Sequence, residues 1–251
     1  MTRLDVLCVT LGLSESRTKS KNLILEGKIS VNGKIVTKPS ELVDENASVS
    51  ASLSEETYVS RGAFKLKHAL SQFGVDVASK ISVDIGASTG GFTEILLNYG
   101  ASKIYAVDVG TNQLHPKIKQ SPFVVSMEKT NARELKKEDF SEEIDLVVMD
   151  VSFISQTLIY PAVSRILKKD GIFVSLVKPQ FEVGKENIGK GGIVKNEKLY
   201  ISLKDKIQVE ALKNNLELLG YIPSPIEGGD GNKEFLAYFI NKGERTIDEF
   251  N

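Results

Sequence analysis

The sequence predicts an α/β protein whose larger part is a mostly parallel sheet covered by helices, preceded by a small α+β module. Two observations predict this fold. From residue 58 onward, short apolar segments alternate with helical patterns, and these segments are continuously apolar, as in strands buried on both faces. The first fifty residues differ, because they contain two short helical patterns and a hairpin signal.

Composition restricts the class of protein. The chain has 251 residues, of which 41% are apolar and 26% charged, which is typical of globular proteins. A single cysteine excludes an intrachain disulfide and fits a reducing cytosol. No segment has the roughly 18 apolar residues of a membrane span, and the start of the chain does not resemble a secretory leader. We therefore expect a cytoplasmic monomer, and no metal site, because His68 and His115 are isolated.

The module at residues 1–50 is basic, although the whole chain has a net charge of −1. Residues 1–38 contain seven Lys or Arg and three Asp or Glu, a local charge of +4. Leucines at helical spacing end at Gly12, and Ser14 or Ser16 can cap a second helix that ends near Gly27. Asn32-Gly33 is typical of a two-residue hairpin turn. Composition alone leaves open a structural cap with solvated lysines, and residues 51–57 are the predicted linker.

The domain at residues 58–251 begins with a predicted amphipathic helix, "YVSRGAFKLKHALSQFG". Further helices are predicted at "SQTLIYPAVSRILKKDG" (155–171) and "NEKLYISLKDKIQVEALKNNLELLG" (196–220). The predicted strands are residues 81–86, 103–109, 123–127, 144–150, 172–178 and 234–240. In such sheets ligands bind beyond the carboxyl ends of the strands, so a site is expected there.

The turn after the first of these strands, in "ISVDIGASTGGFTEILL" (81–97), matches neither a dinucleotide fingerprint nor a phosphate-binding P-loop. Asp84 before the turn suits an ammonium group, and the N–H groups at the helix start suit a carboxylate. Asp108, 24 residues later, can accept hydrogen bonds from a ribose diol. An α-amino acid joined to a ribose describes S-adenosylmethionine. A tight turn that binds no ligand is the alternative.

Two resemblances sharpen this interpretation. The segment "RLDVLCVTLGLSESRTKSKNLILEGKISVNGKIVTKPS" resembles the αL RNA-binding domain, named after a small-subunit ribosomal protein. The segments "VDIGASTGGFTEILL", "YAVDVGTNQL", "TNAR" and "DLVVMDVSFIS" resemble FtsJ-like class I (Rossmann-like) methyltransferases, which have a seven-stranded sheet. Together with "YVSRGAFKL" and "VKPQFEVG", the whole chain resembles the TlyA family. That family is often labelled haemolysin, and its activity is 2′-O-methylation of cytidine in ribosomal RNA.

The resemblance implies a set of site residues. The family's catalytic Lys-Asp-Lys-Glu set falls on Lys65, Asp150, Lys178 and Glu234. The implied S-adenosylmethionine site consists of Asp84, Gly86, Ser88, Thr89, Gly90, Asp108, Asn131 and Asp150, with Asn131 beside the adenine. The implied RNA contacts are Arg17, Lys19, Lys21 and Lys34 in the first module, and these would be phosphate contacts. The glycine-rich loop 182–196 adds Lys185 and Lys190 as RNA contacts, with a plain surface loop as the alternative.

The catalytic set suits transfer of a methyl group to a ribose hydroxyl. Lys178 ends a central strand and could orient the hydroxyl or accept its proton, while Lys65 would favour the neutral amine. Asp150 and Glu234 would position Lys178. The alternatives are a solvated strand end for Lys178, a helix cap near Ser152 for Asp150, and a surface charge for Glu234.

Two other classes of protein compete with this interpretation. A non-catalytic RNA-binding protein would need the basic module but not the four catalytic residues. A membrane-lysing protein would need an apolar spanning segment or a strongly amphipathic one, and the sequence shows neither. Val-Ser-Phe after Asp150 differs from the Pro-Pro-aromatic run of many base-nitrogen methylases, which favours ribose as the target.

Overall fold

The computed structural model describes residues 1–51, 58–229 and 231–243. The chain forms two compact units, Met1–Thr57 and Tyr58–Asn251. Apart from Ala51, the predicted linker at residues 51–57 lies outside the described residues.

The N-terminal unit contains the two helices and the hairpin that its sequence predicts. The helices are α1 (Leu4–Thr10) and α2 (Arg17–Leu25). The strands are β1 (Thr2–Arg3), β2 (Ile29–Val31), β3 (Lys34–Ile35), β4 (Leu42–Val43) and β5 (Val49–Ala51). Ser16 caps α2 by accepting a hydrogen bond from the Lys19 backbone N–H, at 3.2 Å. Asn32 and Gly33 both have positive φ, as the β2–β3 turn requires.

A sheet is the centre of the second unit, and seven strands form it within the described part of the chain. The strands are β6 (Ile81–Ile85), β7 (Lys103–Val107), β8 (Val124–Met127), β9 (Ile144–Met149), β10 (Leu167–Val177), β11 (Leu216–Pro223) and β12 (Phe235–Asn241). Their order is β11-β12-β10-β9-β6-β7-β8. Every neighbouring pair from β10 to β8 is parallel, and β12 is antiparallel to both β10 and β11. The predicted mostly parallel sheet is confirmed.

Helices cover both faces of this sheet. They are α3 (Gly62–Phe73), α4 (Gly91–Asn98), α5 (Pro116–Lys119), α6 (Tyr160–Ile166) and α7 (Leu199–Leu212). In β9, Val147 and Met149 pack into one hydrophobic cluster, and Leu146 and Val148 pack into another. Because alternate side chains of a strand point to opposite faces, both faces of β9 are buried, and residues 146–149 are all apolar.

Two predicted helices extend too far. The prediction for residues 155–171 is wrong after Ile166, because β10 begins at Leu167 and passes through a bulge before Ile172. The prediction for residues 196–220 is wrong after Leu212, because Leu216–Pro223 is the edge strand β11. Asp170, in the irregular part of β10, and Asn215, directly before β11, both have a positive φ, which a continuing helix does not allow.

Candidate active site

The predicted acidic and basic residues meet at one edge of the sheet. Asp84 lies near the carboxyl end of β6, while Asp108, Asp150 and Lys178 directly follow β7, β9 and β10. These four strands are neighbours in the order β10-β9-β6-β7, so their carboxyl ends lie side by side. This is the edge at which parallel sheets bind ligands.

The turn after β6 brings backbone into close contact with the end of β9. Gly86 has φ +82°, and a Cβ added to it would lie 2.3 Å from the carbonyl oxygen of Asp150. A side chain is therefore excluded at Gly86 by both conformation and space. The backbone N–H of Asp150 also donates to the carbonyl oxygen of Ile85, at 3.0 Å. These contacts fix the turn beside Asp150.

The rest of the turn presents polar groups at the start of α4. Ser88 and Thr89 are exposed, and Ser88 has a positive φ. Gly90 caps α4 in the left-handed conformation, with no space for a side chain beside Ile118 and Leu114. The first N–H groups of a helix lack partners within it, so the start of α4 suits an anionic group.

Asp84 is a buried carboxyl group with one unpaired oxygen. The Thr93 hydroxyl donates to Asp84 Oδ2 at 2.6 Å, whereas Oδ1 has no hydrogen-bond partner within the described segments. Burial, together with the neighbouring carboxylates Asp150 and Asp108, raises the pKa of Asp84 to about 7, although the hydrogen bond from Thr93 lowers it. A cationic ligand at this position would satisfy Oδ1 and favour the ionised carboxyl group.

Asp108 accepts hydrogen bonds from the Ser88 backbone N–H at 2.8 Å and from the Gly110 N–H at 2.7 Å. It lies beside an open cleft. The polar residues that line the cleft are Ser88, Asp108, Gln113, Ser126 and Glu128. The buried hydroxyl of Ser126 has no partner among the residues described. An unpaired hydroxyl beside a carboxylate at the edge of a cleft fits a ligand that carries hydroxyl groups.

Asn131 begins the short 3₁₀ helix Ala132–Glu134. Its side-chain oxygen accepts from the Arg133 N–H at 3.2 Å, and its amide nitrogen donates to Glu134 at 2.8 Å. Both polar ends of this side chain contact its own turn, and a contact with adenine stays a prediction.

Lys178 and Asp150 form an ion pair. Lys178 Nζ lies 2.6 Å from Asp150 Oδ1 and donates to the Ser152 hydroxyl at 2.8 Å. The Lys178 side chain is 13% exposed and that of Asp150 is 24% exposed, so both can contact a ligand. Residues 151–155 are not helical, which rules out the alternative of a helix cap for Asp150.

Lys65 and Glu234 form a second, more deeply buried ion pair. Their side chains are 9% and 3% exposed, so Glu234 is not a surface charge. Lys65 comes from α3, and Glu234 directly precedes β12, in which Phe235 pairs with Val177 of β10. Glu234 and Lys178 therefore flank the same cross-strand pair. Each lysine has its own carboxylate, so Asp150, and not Glu234, contacts Lys178 directly.

The chain is similar to known proteins over nearly its whole length. Residues 58–240 match the model for FtsJ-like methyltransferases, and residues 2–49 match the S4 domain. YqxC of Bacillus subtilis is 44% identical over 244 residues, which are 96% of this chain and 86% of YqxC. The 16S/23S rRNA (cytidine-2′-O)-methyltransferase TlyA of Mycobacterium tuberculosis is 39% identical over 246 residues, with 98% and 92% coverage. The chain belongs to the TlyA family of FtsJ-like methyltransferases. The resemblance and the fold class predicted from sequence are confirmed.

A solved structure of the same family has the same fold over nearly the whole chain. A protein from Streptococcus thermophilus, described as a hemolysin, has a TM-score of 0.77 and 41% identity. The match covers 98% of this chain and 90% of that protein. In the described part of this TlyA-family chain, no helix combines the length and apolarity required to cross a membrane.

The S4 domain of this TlyA-family chain exposes the four basic residues predicted to contact RNA: Arg17, Lys19, Lys21 and Lys34. Two of them also make internal ion pairs. Arg17 donates to the buried Asp5 at 3.0 Å, and Lys19 lies 3.2 Å from Glu15. Hydrogen bonds from Arg3 and from Arg17 hold the pKa of Asp5 at about 2. Arg17 is therefore held in place by a carboxylate that remains charged.

The glycine-rich loop 182–196 is anchored close in sequence to Lys178 and Glu234. Asn232 is 1% exposed, and its side chain accepts from the Val194 N–H at 3.1 Å and donates to the Gly192 carbonyl at 2.9 Å. Lys185 and Lys190 project from this loop as exposed side chains. RNA contact by these lysines stays a prediction.

Two residues near the site were given no role by the sequence. Phe153 follows Asp150 by three residues, is 92% exposed and has φ +65°, although its ring lies 5.3 Å from that of Phe181. Glu182 is a buried acid in the segment "VKPQFEVG". The pattern gave no signal for either, because a Phe in an apolar run is usually buried and a Glu in a loop is usually exposed.

Proposed function

We propose that this chain transfers a methyl group from S-adenosylmethionine to the 2′-hydroxyl of a cytidine ribose in ribosomal RNA. The contact between Gly86 and Asp150 carries this proposal, because it puts the glycine turn next to the Lys178–Asp150 pair. A site for a methyl donor and a group that can handle a hydroxyl proton are then adjacent. The name of the M. tuberculosis relative supports cytidine in rRNA as the substrate.

The residues around the turn fit the donor. Asp84 Oδ1 would receive the ammonium group, and the start of α4 at Gly91 would receive the carboxylate. Asp108 would accept hydrogen bonds from the ribose, next to the cleft that contains Ser126. When bound, S-adenosylmethionine supplies a methyl group that is already activated on a sulfonium.

The Lys178–Asp150 pair acts on the acceptor hydroxyl. Lys178 Nζ donates one hydrogen to Ser152 and lies 2.6 Å from Asp150 Oδ1 as an ion pair, and a remaining hydrogen can hold the ribose oxygen in line with the methyl group. The hydroxyl loses its proton as its oxygen takes the methyl group from the sulfonium. Because the Lys178 ammonium already carries three hydrogens, the proton is taken up by the Asp150 carboxylate, either directly or through Lys178 after it has passed one of its own hydrogens to Asp150. The Lys65–Glu234 pair fixes α3 against β12 beside this pair.

We expect the affinity for S-adenosylmethionine to rise as the pH increases towards 7. The pKa of Asp84 is about 7 in the folded protein against an ordinary value of 3.8, so the carboxyl group is protonated below that pH. An ammonium ligand binds the ionised form, so the dissociation constant should fall up to about tenfold per pH unit below 7 and level off above it. Titration calorimetry between pH 5.5 and 7.5 measures this dependence.

Asp84→Asn tests whether ionisation of Asp84 causes this pH dependence. It should bind the donor weakly with little pH dependence, and its stability should no longer decrease as the pH rises from about 4 to 7. Asp145→Asn, at the amino end of β9, is the matched control and should keep the wild-type profile. A wild-type affinity that is constant over this range would exclude Asp84 as the ammonium ligand.

We expect Lys21→Ala and Lys34→Ala to weaken binding to ribosomal RNA without changing donor affinity. Both side chains are exposed on the S4 domain, where they can neutralise phosphates. Each substitution should lower the slope of log affinity against log salt by about 1. Filter binding at several salt concentrations gives this slope. Lys38→Ala, which makes the same charge change on the same unit, is the control, and an equal loss there would show that only net charge matters.

The proposed substrate is tested by methyl transfer to ribosomal subunits. Labelled S-adenosylmethionine is incubated with the protein and with subunits from cells that lack it, or from cells that contain it. Label should enter only the first set, because the target in the second is already methylated. Equal labelling of both sets, or labelling of neither set despite donor binding, would contradict the proposal.

A further inference from the structure

Glu182 is a buried acid whose two carboxylate oxygens are both hydrogen-bonded. It lies four residues after Lys178 and is 5% exposed. Its Oε2 accepts from the Ser155 hydroxyl at 2.6 Å, and its Oε1 accepts from the Gln156 backbone N–H at 2.8 Å. Burial raises the pKa of Glu182, because the charged carboxylate is unfavourable away from water. The hydrogen bonds from Ser155 and Gln156 partly compensate for this cost.

Both donors belong to the segment that follows Asp150. Residues 151–155 have no regular structure, and Ser152 in this segment accepts the hydrogen bond from Lys178. Without a helix or strand to fix its backbone, the segment depends on side-chain hydrogen bonds for its position. Glu182 supplies two of them, and so connects the segment after Asp150 with the segment after Lys178.

A third element anchors this connection. Lys206 of α7 donates to the backbone carbonyl of Glu182 at 2.6 Å, and its ammonium lies 3.7 Å from Oε2. Helix α7 packs on β11, so the position of Glu182 is tied to the body of the domain. Glu182 is therefore held from one side by a helix and holds the segment after Asp150 on the other.

We propose that Glu182 is a positioning residue for methyl transfer: it fixes the segment 151–156 so that Asp150 and Ser152 meet Lys178 in the geometry that the reaction needs. The proposal rests on the proposed function, since it assigns Glu182 a role in that reaction. It does not place Glu182 in contact with RNA or with the methyl donor. Displacement of a reacting group by about 1 Å can cost about 100-fold in rate, so loss of this link should act on kcat.

The choice of substitutions follows from the donors. In Glu182→Ala both hydrogen bonds are lost, and the Gln156 N–H is left without an acceptor. In Glu182→Gln the amide oxygen can accept from the Gln156 N–H, and the amide nitrogen can donate to the Ser155 hydroxyl, which donates in turn to Thr157 at 2.8 Å. The Gln variant therefore preserves the link and removes only the charge.

The test compares kcat, KM for ribosomal subunits and donor affinity in Glu182→Ala, Glu182→Gln and a control. The control is Asp145→Ala, which removes an acid that accepts a backbone hydrogen bond from Ile81 at 2.9 Å and pairs with Lys168 at the opposite end of β9. We expect Glu182→Ala to lower kcat at least about tenfold while donor affinity stays within about twofold, and Glu182→Gln to recover kcat to within about threefold of wild type. Ser155→Ala removes only one of the two hydrogen bonds to Glu182, so it should lower kcat by an intermediate amount. This variant keeps the proposal testable if Glu182→Ala does not fold.

Hydrogen exchange of residues 151–157 supplies a readout that does not depend on activity. Exchange there should accelerate in Glu182→Ala and not in Glu182→Gln or Asp145→Ala. If wild-type protein transfers no methyl group but this exchange pattern appears, the proposed function fails and the structural link stands. The positioning role would be overturned if kcat were unchanged in Glu182→Ala or if Asp145→Ala lost as much kcat as Glu182→Ala. It would also be overturned if kcat in Glu182→Gln stayed as low as in Glu182→Ala.

Discussion

Lys178→Ala is expected to reduce methyl transfer by at least about 100-fold, since a positioned acid or base typically contributes 10²–10⁴-fold. The variant loses the only amine that lies against Asp150 and Ser152 in the described structure. Affinity for S-adenosylmethionine should stay near wild type, because the residues that fit the donor lie on the turn after β6 and at the end of β7. Single-turnover transfer and donor calorimetry on the same preparation measure the two effects separately.

The same two strands supply a matched control. At the amino ends of β9 and β10, Lys168 pairs with Asp145, just as Lys178 pairs with Asp150 at the carboxyl ends. Lys168→Ala therefore removes the same side chain and breaks the same kind of ion pair away from the candidate site. It should transfer methyl groups at the wild-type rate. Near-normal turnover in Lys178→Ala, or an equal loss in Lys168→Ala, would remove Lys178 from the mechanism.

Substitution of either partner of the Lys65–Glu234 ion pair is expected to cause a large loss of stability. Both side chains are at least nine-tenths buried, so a change to either one leaves a buried charge without its partner. Lys65→Met and Glu234→Gln should each lower the free energy of unfolding by about 3 kcal/mol. The double variant contains neither charge, and its loss should be smaller than the sum of the single losses by about 2 kcal/mol or more. Urea unfolding of the four proteins measures this coupling.

Measurements of methyl transfer separate a role of this pair in folding from a role in the geometry of the candidate site. We expect methyl transfer to stay impaired in the double variant, although its stability recovers, because α3 and the start of β12 are then no longer held by a directional contact next to Lys178. Activity that recovers together with stability would show that the pair contributes only to folding. Additive losses of stability would show that the two charges do not interact in solution.

Much of the fold follows from local pattern. The continuously apolar segments predict β6, β7, β9 and β10, and Asn32-Gly33 predicts the hairpin of the S4 domain, because period and turn chemistry are properties of neighbouring residues. The edge strand β11 was not predicted, since "LELLG" fits a helix as well as a strand that is exposed on one side. Asn214-Asn215 was the available signal, because Asn readily adopts the positive φ that Asn215 has.

The candidate site was predictable in part for the same reason. Parallel strands end at one edge, so Asp84, Asp108, Asp150 and Lys178 could be grouped from their positions after strands. Which lysine meets which carboxylate depends on the approach of α3 to β12 and could not be derived from spacing. The role of Glu182 was hidden because only tertiary packing buries it and brings Ser155 and Gln156 to its carboxylate.

The central claim is tested most directly by the position of the methyl group on the product. Ribosomal RNA that wild-type protein has methylated with labelled S-adenosylmethionine is digested to nucleosides, and the labelled nucleoside is identified by mass spectrometry. We expect the labelled nucleoside to be 2′-O-methylcytidine, absent when Lys178→Ala replaces wild type and present with Lys168→Ala. A label on a base, or a labelled 2′-O-methylcytidine that persists in Lys178→Ala, would contradict the central claim.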